Sequence, residues 1–286
     1  MKFGLFAVNM GPCAHPEVAA KVARAAEAAG FDSLWTGEHV VLPDPQAPPS
    51  PLPPLAEMLD PTVSLAFLAA HTKTVRLGTG IIILPQRNPL VLAKELASLD
   101  VLSGGRLMFG VGIGYLKPEF DALGVPFDDK GARTEEYLRA MLAIWTMDQP
   151  RYAGRFVSYG GVQARPQPVQ KPHPPVVFGG HTDAAYSRAA RLASGWYGFA
   201  LDVEGAKKSI AGLRAACERK NRRFEDLEIS VTPPPPADRL VLERAEAERF
   251  AALGVHRLII YSPRARDEKS QLALIDEAAK NLIGKV

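Results

Sequence analysis

Cysteine is almost absent. Cys13 and Cys217 are the only two in 286 residues, too few for a disulfide framework or a cysteine metal site. Long apolar runs are missing as well: no stretch approaches the roughly 20 apolar residues that span a bilayer, so no membrane contact is expected. Neither sign of charge dominates. The net charge is only +3, and no Lys/Arg cluster interleaved with aromatics appears, so nucleic acid is not an expected partner. The opening MKFGLFAVNMGP lacks an apolar secretory core followed by a cleavage site, and a cytoplasmic protein is expected. HExxH, P-loop and GxSxG motifs are absent, no GxGxxG follows the first strand, and no metal is expected. Hydrophobic residues are plentiful at 47%, ample for a large core. The 25 prolines gather mainly in Pro43–Pro54, Pro166–Pro175 and Pro233–Pro236.

The patterning centres on Arg76–Phe120. Arg76–Leu84 is a short apolar run stopped by Pro85 and reads as a strand. Pro89–Leu102 carries a helical apolar face and ends at Ser103-Gly104-Gly105, where glycine supplies the left-handed cap. Leu107–Gly112 is a second apolar strand. Two strands apolar on both faces and joined by one helix form a parallel βαβ unit. Similar units flank it. Strands are predicted at Lys2–Val8, Ser33–Thr36, Pro175–Gly179, Gly195–Phe199, Leu227–Val231 and Arg257–Tyr261. Helices are predicted at Pro16–Ala29, Asp60–His71, Ala132–Trp145, Ala184–Ala193, Val203–Asn221, Ala237–Leu253 and Asp267–Leu282. Lys117–Lys130 reads as a polar connection, and Tyr152–Tyr159 as a hairpin in an insertion at 151–170. Eight alternating strands and helices predict one α/β domain over residues 1–286, a TIM (β/α)8 barrel; an open doubly wound sheet is the runner-up.

In such a barrel the active site lies at the C-terminal strand ends. His39 is the sharpest candidate there, because imidazole titrates near neutrality and suits proton transfer. Glu38 beside it is a candidate to orient it, although solvation is the more ordinary role. The proline-rich loop from Val40 to Leu59 is long enough to be a lid or binding loop. Gly179-Gly180-His181-Thr182 precedes a helix, where amides and the helix dipole favour an anion; a plain helix cap by Thr182 or Asp183 competes. Glycine inside strands needs a reason, such as a bulge or close approach of a ligand. Gly80-Ile81 and Gly112 through Gly114 and Tyr115 are the positions where such a reason would serve a site. Lys117, Arg87 and Arg264 are weaker candidates for an anionic tail.

GFDSLWTGEHVVLP (30–43), VRLGTGIIILPQRNPLVLAKELASLDVLSGGRLMFGVGIGYLKPEF (75–120), GARTEEYLRAMLAIWT (131–146) and HPPVVFGGHTDAAYSRAARLASGW (173–196) resemble the bacterial-luciferase-like superfamily, and within it the class of coenzyme F420-dependent oxidoreductases. The resemblance implies a TIM barrel with an insertion, often a homodimer, and a flavin-type ring at the C-terminal mouth. It implies a bulge with a non-proline cis peptide at Gly80-Ile81 behind the ring, His39 near the ring's reactive edge, and Gly179-Gly180 at the cofactor phosphate. His181 stands where many relatives have asparagine. Tyr115 stands where sugar-phosphate dehydrogenases of the class carry a glutamate, which argues against that substrate. Hydride transfer between coenzyme F420 and a small organic substrate follows as the expected reaction. The alternatives are an FMN-dependent monooxygenase served by a flavin reductase, and a non-catalytic flavin- or deazaflavin-binding protein.

Overall fold

The computed structural model describes all 286 residues. In chain order the strands are β1 (Lys2–Phe6), β2 (Ser33–Thr36), β3 (Arg76–Thr79), β4 (Ile82–Ile83), β5 (Leu107–Gly112), β6 (Tyr152–Ala153), β7 (Ser158–Tyr159), β8 (Val176–Gly179), β9 (Gly195–Phe199), β10 (Glu228–Thr232) and β11 (Arg257–Ile260). The helices are α1 (Pro16–Ala28), α2 (Pro61–His71), α3 (Pro89–Leu102), α4 (Lys117–Ala122), α5 (Lys130–Thr146), α6 (Asp183–Leu192), α7 (Val203–Arg219), α8 (Arg244–Ala252) and α9 (Glu268–Asn281). The parallel sheet runs β3-β2-β1-β11-β10-β9-β8-β5-β4, and β3 also pairs with β5. With β3 and β4 as two pieces of one stave, it closes as an eight-stranded barrel, which excludes the open sheet. β6 and β7 form the expected antiparallel hairpin, with Tyr152 opposite Tyr159.

Strand alternation splits the core into two layers. Leu34, Phe109, Val111, Phe178, Trp196, Leu258 and Ile260 belong to the large cluster that packs against the helices. Their neighbours Trp35, Met108, Val177, Tyr197 and Ile259 form a second cluster inside the barrel. Beneath it lies Arg257, fully buried, with its Nε 2.6 Å from Asp32 and further bonds to Glu228 and Ser230. Sequence cues set several helix starts. Asp60 accepts from the amides of Thr62 and Val63 at α2, and Asn88 from those of Leu90 and Val91 at α3, each followed by proline at the first helical position.

Several differences from the sequence reading have a physical cause. β1 ends at Phe6 rather than Val8, because Ala7 turns the chain with φ of 67°. The helix expected over Ala237–Leu253 begins only at Arg244; Leu240, Val241 and Leu242 instead pack irregularly near Pro233–Pro236 and Ile260, so tertiary packing overrides helix propensity. The polar connection after β5 contains α4, whose start is marked by Pro118 in the first turn.

The run Arg76–Leu84 is not one strand. Gly78 pairs with Met108 and Ile82 with Val111, so four steps along one chain match three along the other. That is a β-bulge, and within it the Gly80-Ile81 peptide bond is cis.

Candidate active site

A cavity of about 480 Å³ opens at the C-terminal mouth of the barrel. Its wall draws on the ends of β1, β2, β5, β8, β9 and β11, on the bulge after β3, and on the long loop after β2, which contributes Pro51, Leu52 and Met58. Asn9 ties this rim together. Fully buried, it donates to the carbonyls of Gly37 (2.9 Å) and Leu59 (2.6 Å) and accepts from the Gly37 amide (3.0 Å). One side chain thus joins the ends of β1 and β2 to the end of the long loop.

Most expected site residues meet here. Glu38, His39, Gly80, Ile81, Gly114, Tyr115, Gly179, Gly180 and His181 all line the cavity. Gly112 and Thr182 do not. A Cβ on Gly112 would overlap the end of the Ile81 side chain, so this glycine makes room for Ile81. Thr182 caps α6, its hydroxyl accepting from the Ala185 amide at 3.2 Å. The missing side chains of the glycine-rich staves therefore shape the cavity floor from behind.

The carboxyl that meets His39 is Glu119, a residue the sequence reading passed over. Its Oε2 lies 3.2 Å from His39 Nδ1, and its Oε1 accepts from the Val40 amide at 2.6 Å. Glu119 is 1% exposed and comes from α4, the helix hidden in the polar connection. The Lys117-Pro118-Glu119 order was the available signal, since proline early in a helix with an acid after it marks a helix start. On the other side of the imidazole, the Tyr115 hydroxyl lies 3.3 Å from Nε2. Burial, then the nearby Glu119 charge, raise the Tyr115 pKa and keep the phenol protonated.

Glu38 points elsewhere. It accepts from the Ile83 amide and from Arg87, whose Nε is 2.8 Å away, while the same guanidinium reaches Asp60 at 2.5 Å. Burial pushes the Glu38 carboxyl up against the pull of Arg87 and that amide. Glu38 is thus the anchor of an ion cluster under the rim, and Arg87 is committed to it. Of the other cations considered for an anionic tail, Lys117 pairs with Asp121 (2.7 Å) and Arg264 bonds the Ala237 carbonyl.

His181 accepts from the Phe199 amide through Nε2 at 3.2 Å. Burial lowers its pKa, so the ring is neutral near pH 7, with its proton on Nδ1. Tyr197 bonds Thr232 (2.7 Å). Phe6, Met10, Phe199 and Tyr261 supply apolar wall that the sequence reading did not single out. No Lys or Arg lines the cavity. No group of three or more His, Cys, Asp or Glu side chains is placed to share a metal ion, and no helix is long and apolar enough to cross a membrane.

Comparison with known proteins places this geometry in context. A family model described as luciferase-like monooxygenase matches residues 1–281. An uncharacterized protein of Mycobacterium tuberculosis is 34% identical over 275 residues, 92% of this chain and 93% of that one. An FMNH2-dependent dimethylsulfone monooxygenase of Pseudomonas putida is 37% identical over 158 residues, 54% of this chain and 43% of that protein. Among solved structures, a coenzyme F420-dependent tetrahydromethanopterin reductase from Methanopyrus kandleri superposes with a TM-score of 0.78 at 17% identity, covering 99% of this chain and 98% of the other.

Proposed function

The chain belongs to the luciferase-like monooxygenase family, whose members are flavin- or F420-dependent oxidoreductases and monooxygenases, and from that premise we propose that it moves a hydride between a deazaflavin of the coenzyme F420 type and a small organic substrate. The observation that carries this reading is His39 on the wall of an apolar cavity at the barrel mouth, its Nδ1 backed by the buried Glu119. Hydride transfer leaves a proton to be balanced, and an imidazole at that wall can hold or release one.

The residues present fit a flat ring with an anionic tail. Ile81 and Gly80 form a floor without a projecting polar group, and Gly179 and Gly180 leave an edge clear of side chains. Beyond them the solvent-facing N-terminus of α6 offers amides and a positive dipole end to a phosphate. When bound, a deazaflavin supplies hydride transfer, and FMN supplies hydride transfer and oxygen activation. The protein's part is to bind, orient and exclude water. With no cation on the wall and Glu38 neutralised by Arg87, the cavity favours an uncharged substrate over a phosphorylated one.

A second reading, an FMN-dependent monooxygenase supplied with reduced flavin by a separate reductase, is favoured by the likeness to the Pseudomonas putida enzyme. Titration of the purified protein with oxidised and reduced coenzyme F420 and FMN, followed by fluorescence, separates the two. Tight binding of the deazaflavin supports hydride transfer. Preference for reduced FMN, with oxygen uptake coupled to substrate hydroxylation, replaces it with the second reading, and binding of neither overturns both.

A further inference from the structure

Glu119 presents a problem in charge. Its side chain is fully buried, and no Lys or Arg lies within ion-pair distance of it; His39 is its one potential counter-charge. A buried carboxyl needs partners that compensate its desolvation. Here they are the Val40 amide and His39 Nδ1. The amide can only donate, so Oε1 is an acceptor. In its ionised form the carboxyl accepts at both oxygens, and in that form the proton between Oε2 and Nδ1 sits on the imidazole. Neutral His39 then has a bare Nε2, and the group facing it is the Tyr115 hydroxyl. Tyr115 is half exposed at the cavity, whereas the His39 side chain is 8% exposed. Tyr115 is also fixed in place: Gly114 before it has φ of 74°, packed against Ile83 and Phe120, and its ring meets the imidazole edge-on with centroids 5.8 Å apart.

We infer that the group exchanging a proton with the substrate is the Tyr115 hydroxyl, with His39 behind it as the proton store and Glu119 as the positioning residue that fixes the imidazole tautomer. This rests on the reading of the cavity as the site of a flavin-type oxidoreductase. In the reducing direction a bound reduced cofactor would supply a hydride to an electrophilic substrate carbon, and the electron pair of the substrate double bond would move to its heteroatom. That atom takes the Tyr115 proton. The Tyr115 oxygen takes the Nε2 proton of the imidazolium, leaving neutral His39 with Nδ1–H on Glu119. In the oxidising direction the same proton path runs backward, with neutral Nε2 receiving the Tyr115 proton while Tyr115 deprotonates the substrate.

The test uses nitrogen NMR on the full chain labelled with 15N-histidine, without cofactor and with the imidazole neutral; His39→Gln identifies the His39 signals. Wild type is expected to show the Nδ1–H tautomer. In Glu119→Gln the amide oxygen must keep the Val40 N–H, so its NH2 faces Nδ1 and the tautomer inverts to Nε2–H, an effect a purely structural carboxyl would not produce. In Tyr115→Phe the tautomer stays while the Nε2 resonance moves as it loses its donor. An Nε2–H tautomer in wild type, an unchanged tautomer in Glu119→Gln, or an Nε2 indifferent to Tyr115→Phe overturns the inference. In cofactor-loaded protein assayed with a panel of small aldehydes and ketones, Tyr115→Phe should lower kcat by about 10²–10⁴ with ring affinity kept; wild-type turnover in that variant also overturns it. Failure of the ring to bind at all counts against the functional reading alone, since the NMR arms contain no cofactor.

Discussion

Ile81 occupies the space that Gly112 leaves by having no side chain: a Cβ at position 112 would overlap Ile81 Cδ1. Gly112 pairs with Ile83, and Ile81, two residues earlier in the bulge, reaches over it and lines the cavity. The atom Gly112→Ala would displace is the end of a flexible side chain, so folding should suffer little while Ile81 is pushed toward the cavity. Ring affinity should fall, and Ile81→Val in the same chain should restore part of it. Gly110→Ala is the contrasting case, because its Cβ would overlap the Thr79 carbonyl, which is backbone. It should cost about 1–3 kcal/mol or more, read by urea unfolding. Equal effects at the two glycines would show that the floor is not built this way.

Arg87 holds Glu38, whose side chain is 2% exposed. Removing one partner of a buried pair leaves an uncompensated charge and costs about 3–5 kcal/mol. Arg87→Met should lose stability on that scale, and Glu38→Gln added to it should recover most of the loss. Denaturant midpoints of the two single variants and the double variant measure the coupling. Independent, additive effects would remove the ion cluster as a determinant of the rim.

His39→Ala should leave ring affinity in place and lower kcat by about 10²–10⁴, the usual contribution of a positioned acid or base. Stopped-flow measurement of bound-cofactor oxidation at saturating ligand checks this. Turnover at the wild-type rate would remove His39 from proton transfer.

Glu27 supplies a pH signature away from the site. Burial of itself raises its carboxyl, but the amides of Thr74, Val75 and Lys73 and the Thr74 hydroxyl outweigh it and hold the group down at about 2. A carboxyl lowered in the folded state binds fewer protons there than in the unfolded chain. Its stabilisation is present above the unfolded value of 4.5 and is lost as pH falls toward about 2. Glu27→Gln should therefore melt below wild type at neutral pH, with the gap closing through that window. The group is only partly buried, so the effect is screened and modest. A gap that persists unchanged at low pH would point to lost packing instead.

The two thiols are buried, and burial pushes Cys13 up to about 12. Neither should react with a disulfide reagent in mildly alkaline native conditions, and both should react once the chain is unfolded. Rapid native labelling would reveal an opening at the Gly11–Ala14 turn before α1 or at α7.

The eight βα repeats, the hairpin at Tyr152–Tyr159 and the strand ends that carry His39, Tyr115 and Gly179 were legible in the amino-acid order, because period, capping residues and glycine placement are local signals that survive without coordinates. The long loop after β2 could be recognised as wall for the same reason: its length and prolines are local. The partners of each side chain were not legible. Glu38 adjoins His39 in the chain yet turns to Arg87, while Glu119, 80 residues away, meets the imidazole. Adjacent residues at a strand end leave in different directions, and a carboxyl's partner is chosen by desolvation and by which helix closes over the barrel mouth. Gly112 shows the same limit. The glycine is plain in the sequence, but the bulge register that brings Ile81 over it arises only when β3, β4 and β5 lie side by side, since a one-residue offset between strands is a property of their pairing and of neither strand alone.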